Sequence, residues 1–191
     1  MSSSATTEPS RARLTRRAKA WIAAGVLGAV AAVTVTSVLT GASPTTGPPK
    51  SALIGTRVAS FRLAGLNGGV VRAPWGSGHP GVVIFFASWC TPCQHEMPAL
   101  AAYVATHVGA PVQVVGVDAL DAAASARRFV AKDGVGFAVA SDPNGQVTSG
   151  EFGFQTLPET VFVNARGVVT DVKYGAISNA RLSQGVATLG A

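Results

Sequence analysis

Residues 81–87 read GVVIFFA, an unbroken apolar run that leads through Ser88 and Trp89 into Cys90-Thr91-Pro92-Cys93. Such a run fits a strand buried on both faces, because a strand with one wet face alternates apolar and polar residues. The period then changes. Cys93, Met97, Leu100 and Val104 recur at helical spacing and predict a helix over 93–108. A strand dry on both sides that turns straight into a helix requires a layered α/β fold.

The flanking segments agree with that architecture. Residues 58–63 and 70–72 flank a Leu66-Asn67-Gly68-Gly69 turn and read as a hairpin. Residues 112–117 form a second apolar run, followed by a helical pattern over 122–132. A short strand at 137–140 ends in Ser-Asp-Pro-Asn-Gly. Segments 160–164 and 168–174 pair across Ala165-Arg166-Gly167, and 179–189 closes the chain as a helix. The expected fold is a mixed α/β central sheet with helices on both faces and an N-terminal β-hairpin extension, spanning 51–191.

The first fifty residues are built differently. No charge occurs between Lys19 and Lys50, and residues 21–39 read WIAAGVLGAVAAVTVTSVL. At 1.5 Å per residue this stretch spans about 28 Å, close to the thickness of a bilayer core. Arg11, Arg13, Arg16, Arg17 and Lys19 precede it against the single acid Glu8. That asymmetry keeps the N-terminus in the cytoplasm and sends the remainder across. Residues 1–20 therefore read as a cytoplasmic basic tail and 21–40 as a transmembrane anchor or signal segment. Residues 41–50 (GASPTTGPPK) read as an extended linker. The run is longer than a usual signal-peptide core, which favours a single-pass anchor in the cytoplasmic membrane. The alternative is a secreted domain released by cleavage near Thr40-Gly41-Ala42.

The net charge of +6 has the same origin. The tail supplies +4, and from Lys50 onward ten basic residues face eight acidic ones. The body is nearly neutral, so nucleic acid is not an expected partner.

Both cysteines lie in the one C-x-x-C motif. A helix N-terminus carries unpaired N–H groups and partial positive charge, which stabilise a thiolate. Pro92 suits the first turn, where a missing N–H costs nothing. A zinc site would need two more ligands, and haem attachment would need histidine at position 94, where Gln94 stands. An inert disulfide across so tight a loop would constrain little chain entropy. Thiol–disulfide chemistry remains, with no cofactor or metal expected. His79, His95 and His107 are scattered and read as surface residues.

The segment Phe85-Phe86-Ala87-Ser88-Trp89-Cys90-Thr91-Pro92-Cys93 resembles the active-site segment of thioredoxin-fold proteins. Its continuation Gln94-His95-Glu96-Met97-Pro98, and Leu157-Pro158-Glu159-Thr160-Val161-Phe162-Val163-Asn164, resemble the membrane-anchored TlpA/ResA-type thiol-disulfide oxidoreductases. Pro-Glu-Thr is similar to their CcmG/DsbE relatives. The resemblance implies a redox-active disulfide with Cys90 as attacking and Cys93 as resolving thiol. It implies Pro158 as a cis-proline beside the disulfide, with Leu157 and Trp89 completing a substrate-binding surface. Trp89 can equally be read as a core aromatic. Glu96 would assist proton transfer, the more so because Ile84 stands where thioredoxins carry a buried aspartate. Pro98 would be the helix-kink proline. Glu159 either contacts partners or shapes its turn.

The resemblance further implies extracytoplasmic reduction of disulfides in exported proteins, of the cytochrome c maturation or copper-site assembly type. A membrane electron donor or acceptor would serve the C-x-x-C pair. Motif alone does not set direction, so an oxidant that introduces disulfides is the alternative. A copper-binding assembly factor using Cys90, Cys93 and a histidine is a third reading.

Overall fold

The computed structural model describes residues 51–190, so the tail, apolar span and linker read over 1–20, 21–40 and 41–50 lie outside the described residues. Among the described residues no helix is long and apolar enough to cross a membrane.

The apolar run forms β3 (Gly81–Phe86), buried at every position. It is the middle strand of a five-stranded sheet. β4 (Gln113–Ala119) and then β5 (Ala138–Asp142) lie on one side, both in parallel. β6 (Glu159–Val163) and then β7 (Val169–Tyr174) lie on the other, each antiparallel to its neighbour. β1 (Arg62–Ala64) and β2 (Val70–Arg72) form the separate hairpin. The helices are α1 (Thr91–His107), α2 (Ala123–Lys132) and α3 (Asn179–Ala187).

Successive side chains of β3 divide between two cores. Val82, Ile84 and Phe86 cluster with Met97 and Leu100 of α1, Phe129 of α2 and Leu182 of α3. Val83 and Phe85 cluster with Trp75, Phe152 and Val161. All three α-helices therefore cover one face of the mixed sheet, where the sequence reading expected helices on both. The parallel crossovers through α1 and α2 step the same way along the sheet, from β3 to β4 to β5, and so pass over the same side. The 3-10 turn Pro74–Ser77, which carries Trp75, lies on the other. Helix α3 approaches so closely that a Cβ at Gly185 would sit 2.2 Å from Cζ of Phe162. Only glycine allows that contact.

Several boundaries differ from the sequence reading, each for a local reason. Of 58–63, only the last two residues enter β1. Val58 donates its N–H to Gly167 O, so this segment runs instead along the β6–β7 turn. α1 begins at Thr91, because Cys90 caps it and Pro92 fits its first turn. β5 continues to Asp142, whose carboxylate then organises the following turn by accepting the N–H groups of Gln146, Val147 and Thr148. The terminal helix gives way to a 3-10 turn at Thr188–Gly190, where the Thr188 hydroxyl donates to Gly185 O.

Candidate active site

β3 ends under the first turn of α1, and Cys90 is the residue between them. Its backbone is extended, and its Sγ accepts the Cys93 N–H at 3.2 Å. Cys90 and Cys93 are joined in a disulfide, with 5.2 Å between their Cα atoms. Cys93 is fully buried, whereas Cys90 retains a sliver of exposed surface. An incoming reactant meets Cys90 first.

The loop before Cys90 is tied down from two sides. Ser88 donates its N–H to Asp121 Oδ2 at 2.7 Å, and its carbonyl accepts from Gln94 Nε2 at 2.6 Å. Trp89 is 59% exposed and donates its indole N–H to Leu120 O. It is a surface aromatic beside the disulfide, not a core one.

The Leu157–Pro158 peptide bond is cis. β6 starts immediately after it, with Glu159 opposite Phe85. Pro158 and the Cys90 loop therefore lie at the same end of the sheet. The Pro158 carbonyl accepts from Gly175 N, and half-buried Leu157 packs against both cores.

Glu96 lies on the buried side of α1, three residues after Cys93. Its Oε2 accepts the Ile177 N–H at 2.7 Å, and its Oε1 has no partner. Burial raises its pKa to about 7, against the opposing pull of the Ile177 hydrogen bond and the Lys173 charge. Near neutrality this carboxyl can give or take a proton. Glu159 is also fully buried, with Oε2 accepting from Gln155 N, and burial again raises its pKa. It organises the turn before Pro158 from the face opposite α1.

Three residues of this end were not singled out in the sequence. Asp118 sits in β4 beside Phe86, fully buried, and no protein N–H or O–H reaches either of its oxygens. Burial first, then the neighbouring Asp121 carboxyl, raises its pKa to about 7. Burial would also raise Asp121, but hydrogen bonds from Ser88 and Ala122 bring it below its ordinary value. Leu120 between them has φ of +53°. The available signal was the run Val117-Asp118-Ala119-Leu120-Asp121, where acids interrupt a buried strand at its end. His79, His95 and His107 are exposed, and among the described residues no three His, Cys, Asp or Glu side chains are grouped to hold a metal ion.

A redox pair at a helix start, a cis-proline at the same sheet end and this strand order together define the thioredoxin-fold thiol-disulfide oxidoreductase class. Residues 54–172 match the AhpC/TSA family, and the chain belongs to it. It is 38% identical over 120 residues to the thiol:disulfide interchange protein DsbE homolog of Paracoccus denitrificans. That match covers 61% of this chain and 64% of the relative, so the chain spans less than two thirds of that protein's length. It is 25% identical over 124 residues to the thiol-disulfide oxidoreductase ResA of Halalkalibacterium halodurans, covering 65% of this chain and 70% of that one. A solved Chlorobium tepidum structure, described as a thiol:disulfide interchange protein DsbE, superposes with a TM-score of 0.64 at 30% identity. It covers 73% of this chain and all of that one.

Proposed function

We propose that this protein is an extracytoplasmic thiol-disulfide oxidoreductase that reduces disulfides of exported proteins, of the kind met in cytochrome c maturation or copper-site assembly. Residues 21–39 hold it in the cytoplasmic membrane with the N-terminus inside. The observation that carries the reading is the placement of Cys90 Sγ at the N-cap of α1, within 3.2 Å of the Cys93 N–H. In the reduced protein the same N–H and the helix dipole favour a Cys90 thiolate.

That thiolate attacks one sulfur of a substrate disulfide. A substrate thiolate leaves and takes up a proton, and a mixed disulfide to Cys90 forms. The Cys93 thiol loses its proton and attacks Cys90 Sγ. The second substrate sulfur leaves as a thiol, and the Cys90–Cys93 disulfide returns. Two electrons and two protons have passed from the dithiol to the substrate. Cys93 is buried in an apolar setting that disfavours its thiolate, so it needs a nearby base. Glu96 lies three residues further along the same helix, poised near neutrality with Oε1 unpartnered, and takes that proton. A membrane-embedded dithiol donor then re-reduces the pair.

The test is the reduction potential of the full chain, measured alongside insulin reduction and oxidation of a reduced test protein. A value near the thioredoxin end, about −270 mV, with insulin reduction supports a reductant. A value near that of DsbA, about −120 mV, with oxidation of the test protein would make it a disulfide-forming oxidant.

A further inference from the structure

The near-neutral body conceals an uneven distribution of charge. Residues 51–95 carry Arg57, Arg62 and Arg72 and no acid, whereas 96–191 carry six basic and eight acidic residues. Two of the three arginines are directly opposed. Arg62 in β1 is the register partner of Arg72 in β2, and both are exposed. The flanking hydrogen bonds decide which kind of pair this is. Ala73 donates its N–H to Phe61 O on one side, and Gly65 donates to Gly69 O on the other. Bonded and non-bonded pairs alternate along an antiparallel ladder, so Arg62 and Arg72 form a non-hydrogen-bonded pair, the closer kind. Like charges placed there repel. Among the described residues no carboxylate offsets that repulsion, and the one ion pair joins Arg181 to Asp171.

The two arginines border a cleft of about 260 Å³ between the hairpin and the 3-10 turn Pro74–Ser77. Ser60, Gly76 and Ser77 complete its lining. The Ser77 hydroxyl is already turned to Pro74 O at 3.0 Å, which leaves Ser60 as the hydroxyl donor. Gly76 keeps the cleft open, because a Cβ there would press on Ser60 Cβ at 3.2 Å. The cleft is remote from the disulfide. The Pro74 ring lies against the bare Cα of Gly81 at the start of β3, whereas Cys90 follows the end of that strand. Six strand residues, about 20 Å, separate the two ends.

We propose that Arg62, Arg72 and Ser60 form a binding site for a terminal phosphate group, separate from the redox pair and independent of the function proposed above. Such a group carries nearly two negative charges and at least three acceptor oxygens. That is enough for two guanidinium forks and a hydroxyl. A carboxylate, with one charge and two oxygens, leaves one fork unmet. The phosphate arrives as a free anion or as a lipid head group, and the chemistry that holds it is the same.

The full chain in maltoside micelles is dialysed against radiolabelled inorganic phosphate at constant ionic strength. The micelles are used plain, with phosphatidic acid, or with phosphatidylglycerol at equal charge. Wild type is expected to bind one phosphate per chain in plain micelles. Arg72→Gln should bind it at least about tenfold more weakly, the loss of a charge-assisted hydrogen-bonding group. Gly76→Ala keeps both charges but narrows the cleft, and should weaken binding as well. Without phosphate, Arg72→Gln should melt higher than wild type because the repulsion is gone, and added phosphate should raise only the wild-type melting temperature. Displacement of the label by phosphatidic acid beyond that by phosphatidylglycerol assigns the site to a lipid head group. Equal binding in the two assigns it to the free anion. Binding well below one per chain, or equal affinity in wild type and Arg72→Gln, overturns the site. Disulfide exchange by Arg72→Gln should run at the wild-type rate, and a slower rate would overturn the separation from the redox pair.

Discussion

Glu96 Oε2 accepts the backbone N–H of Ile177 at 2.7 Å, which ties α1 to the segment between β7 and α3. The contact joins residues 81 apart in the chain and leaves Oε1 buried with no partner. One carboxylate thus has a fixed position and an unmet need for a proton.

The consequence is a pH-dependent stability of unusual sign for an acid. Burial lifts Glu96 from an ordinary 4.5 to about 7, so between these values the folded protein binds more protons than the unfolded one. Stability therefore falls as pH rises through that window, by about 3 kcal/mol for this group, and then levels. Asp118 titrates in the same sense, also near 7. Glu96→Gln keeps an oxygen for Ile177 and removes the titration. Its urea midpoint should exceed that of wild type at pH 8 and approach it at pH 5. Its rate of resolving a mixed disulfide at pH 7 should drop about a hundredfold, the usual worth of a positioned general base. Equal pH slopes for the two proteins would count against the assignment.

The burial difference between the two cysteines makes a second prediction. Only Cys90 retains any exposed surface, so it forms the intermolecular bond. Cys93→Ser should accumulate a mixed disulfide with a reacting protein, seen as a shifted band on a non-reducing gel. Cys90→Ser should form none and lose at least about a thousandfold in exchange rate. Full exchange activity in Cys90→Ser would refute the roles given to the two thiols.

The central layer and the redox pair were legible because both rest on local signals: seven apolar residues, a helical period from Cys93 and a spacing of two between the cysteines. The hairpin's first strand was read too early because Val58 and Phe61 are apolar and lie just ahead of Arg62–Ala64, and apolar residues alone do not say whether a segment pairs in the hairpin or packs elsewhere. Their partners, such as Gly167 and Trp75, are distant in sequence. The same reason hid Asp118. Its burial follows from the register of β4 against Phe86, and no local pattern encodes a register. Trp89 could be read as core or surface until the Leu120 carbonyl gave its indole a partner at the surface.

Asp121 links the two halves of the site, and its loss is measurable. It accepts the N–H groups of Ser88 and Ala122, thereby fixing the loop ahead of Cys90 and the start of α2 together. Hydrogen bonds to a charged group are worth about 1.5–3 kcal/mol each, less where solvent reaches them. Asp121→Ala should lower unfolding free energy by about 2 kcal/mol in urea titration. It should also shift the reduction potential, because the Ser88–Cys90 loop relaxes. Asp121→Asn keeps an acceptor and should recover most of the stability. A potential unmoved by the alanine change would make Asp121 a purely structural cap.

Helix α3 supplies the last prediction, through the one position where it has no room to spare. Gly185 faces Phe162 of β6, and the ring carbons lie 2.2–2.6 Å from where a Cβ would stand. Phe162 is fully buried, so its ring has no empty space to enter. Accommodating alanine requires α3 to move outward, and only its N-cap Ser178 separates α3 from Ile177, the residue that holds Glu96. Gly185→Ala should therefore cost about 3 kcal/mol, the upper range for overpacking, although alanine is intrinsically the better helix former. If the helix moves as argued, the Glu96–Ile177 hydrogen bond lengthens, and the pH slope of stability assigned to Glu96 changes with it. A Gly185→Ala protein as stable as wild type would show that Phe162 can yield, and the close packing of α3 on β6 would not be needed.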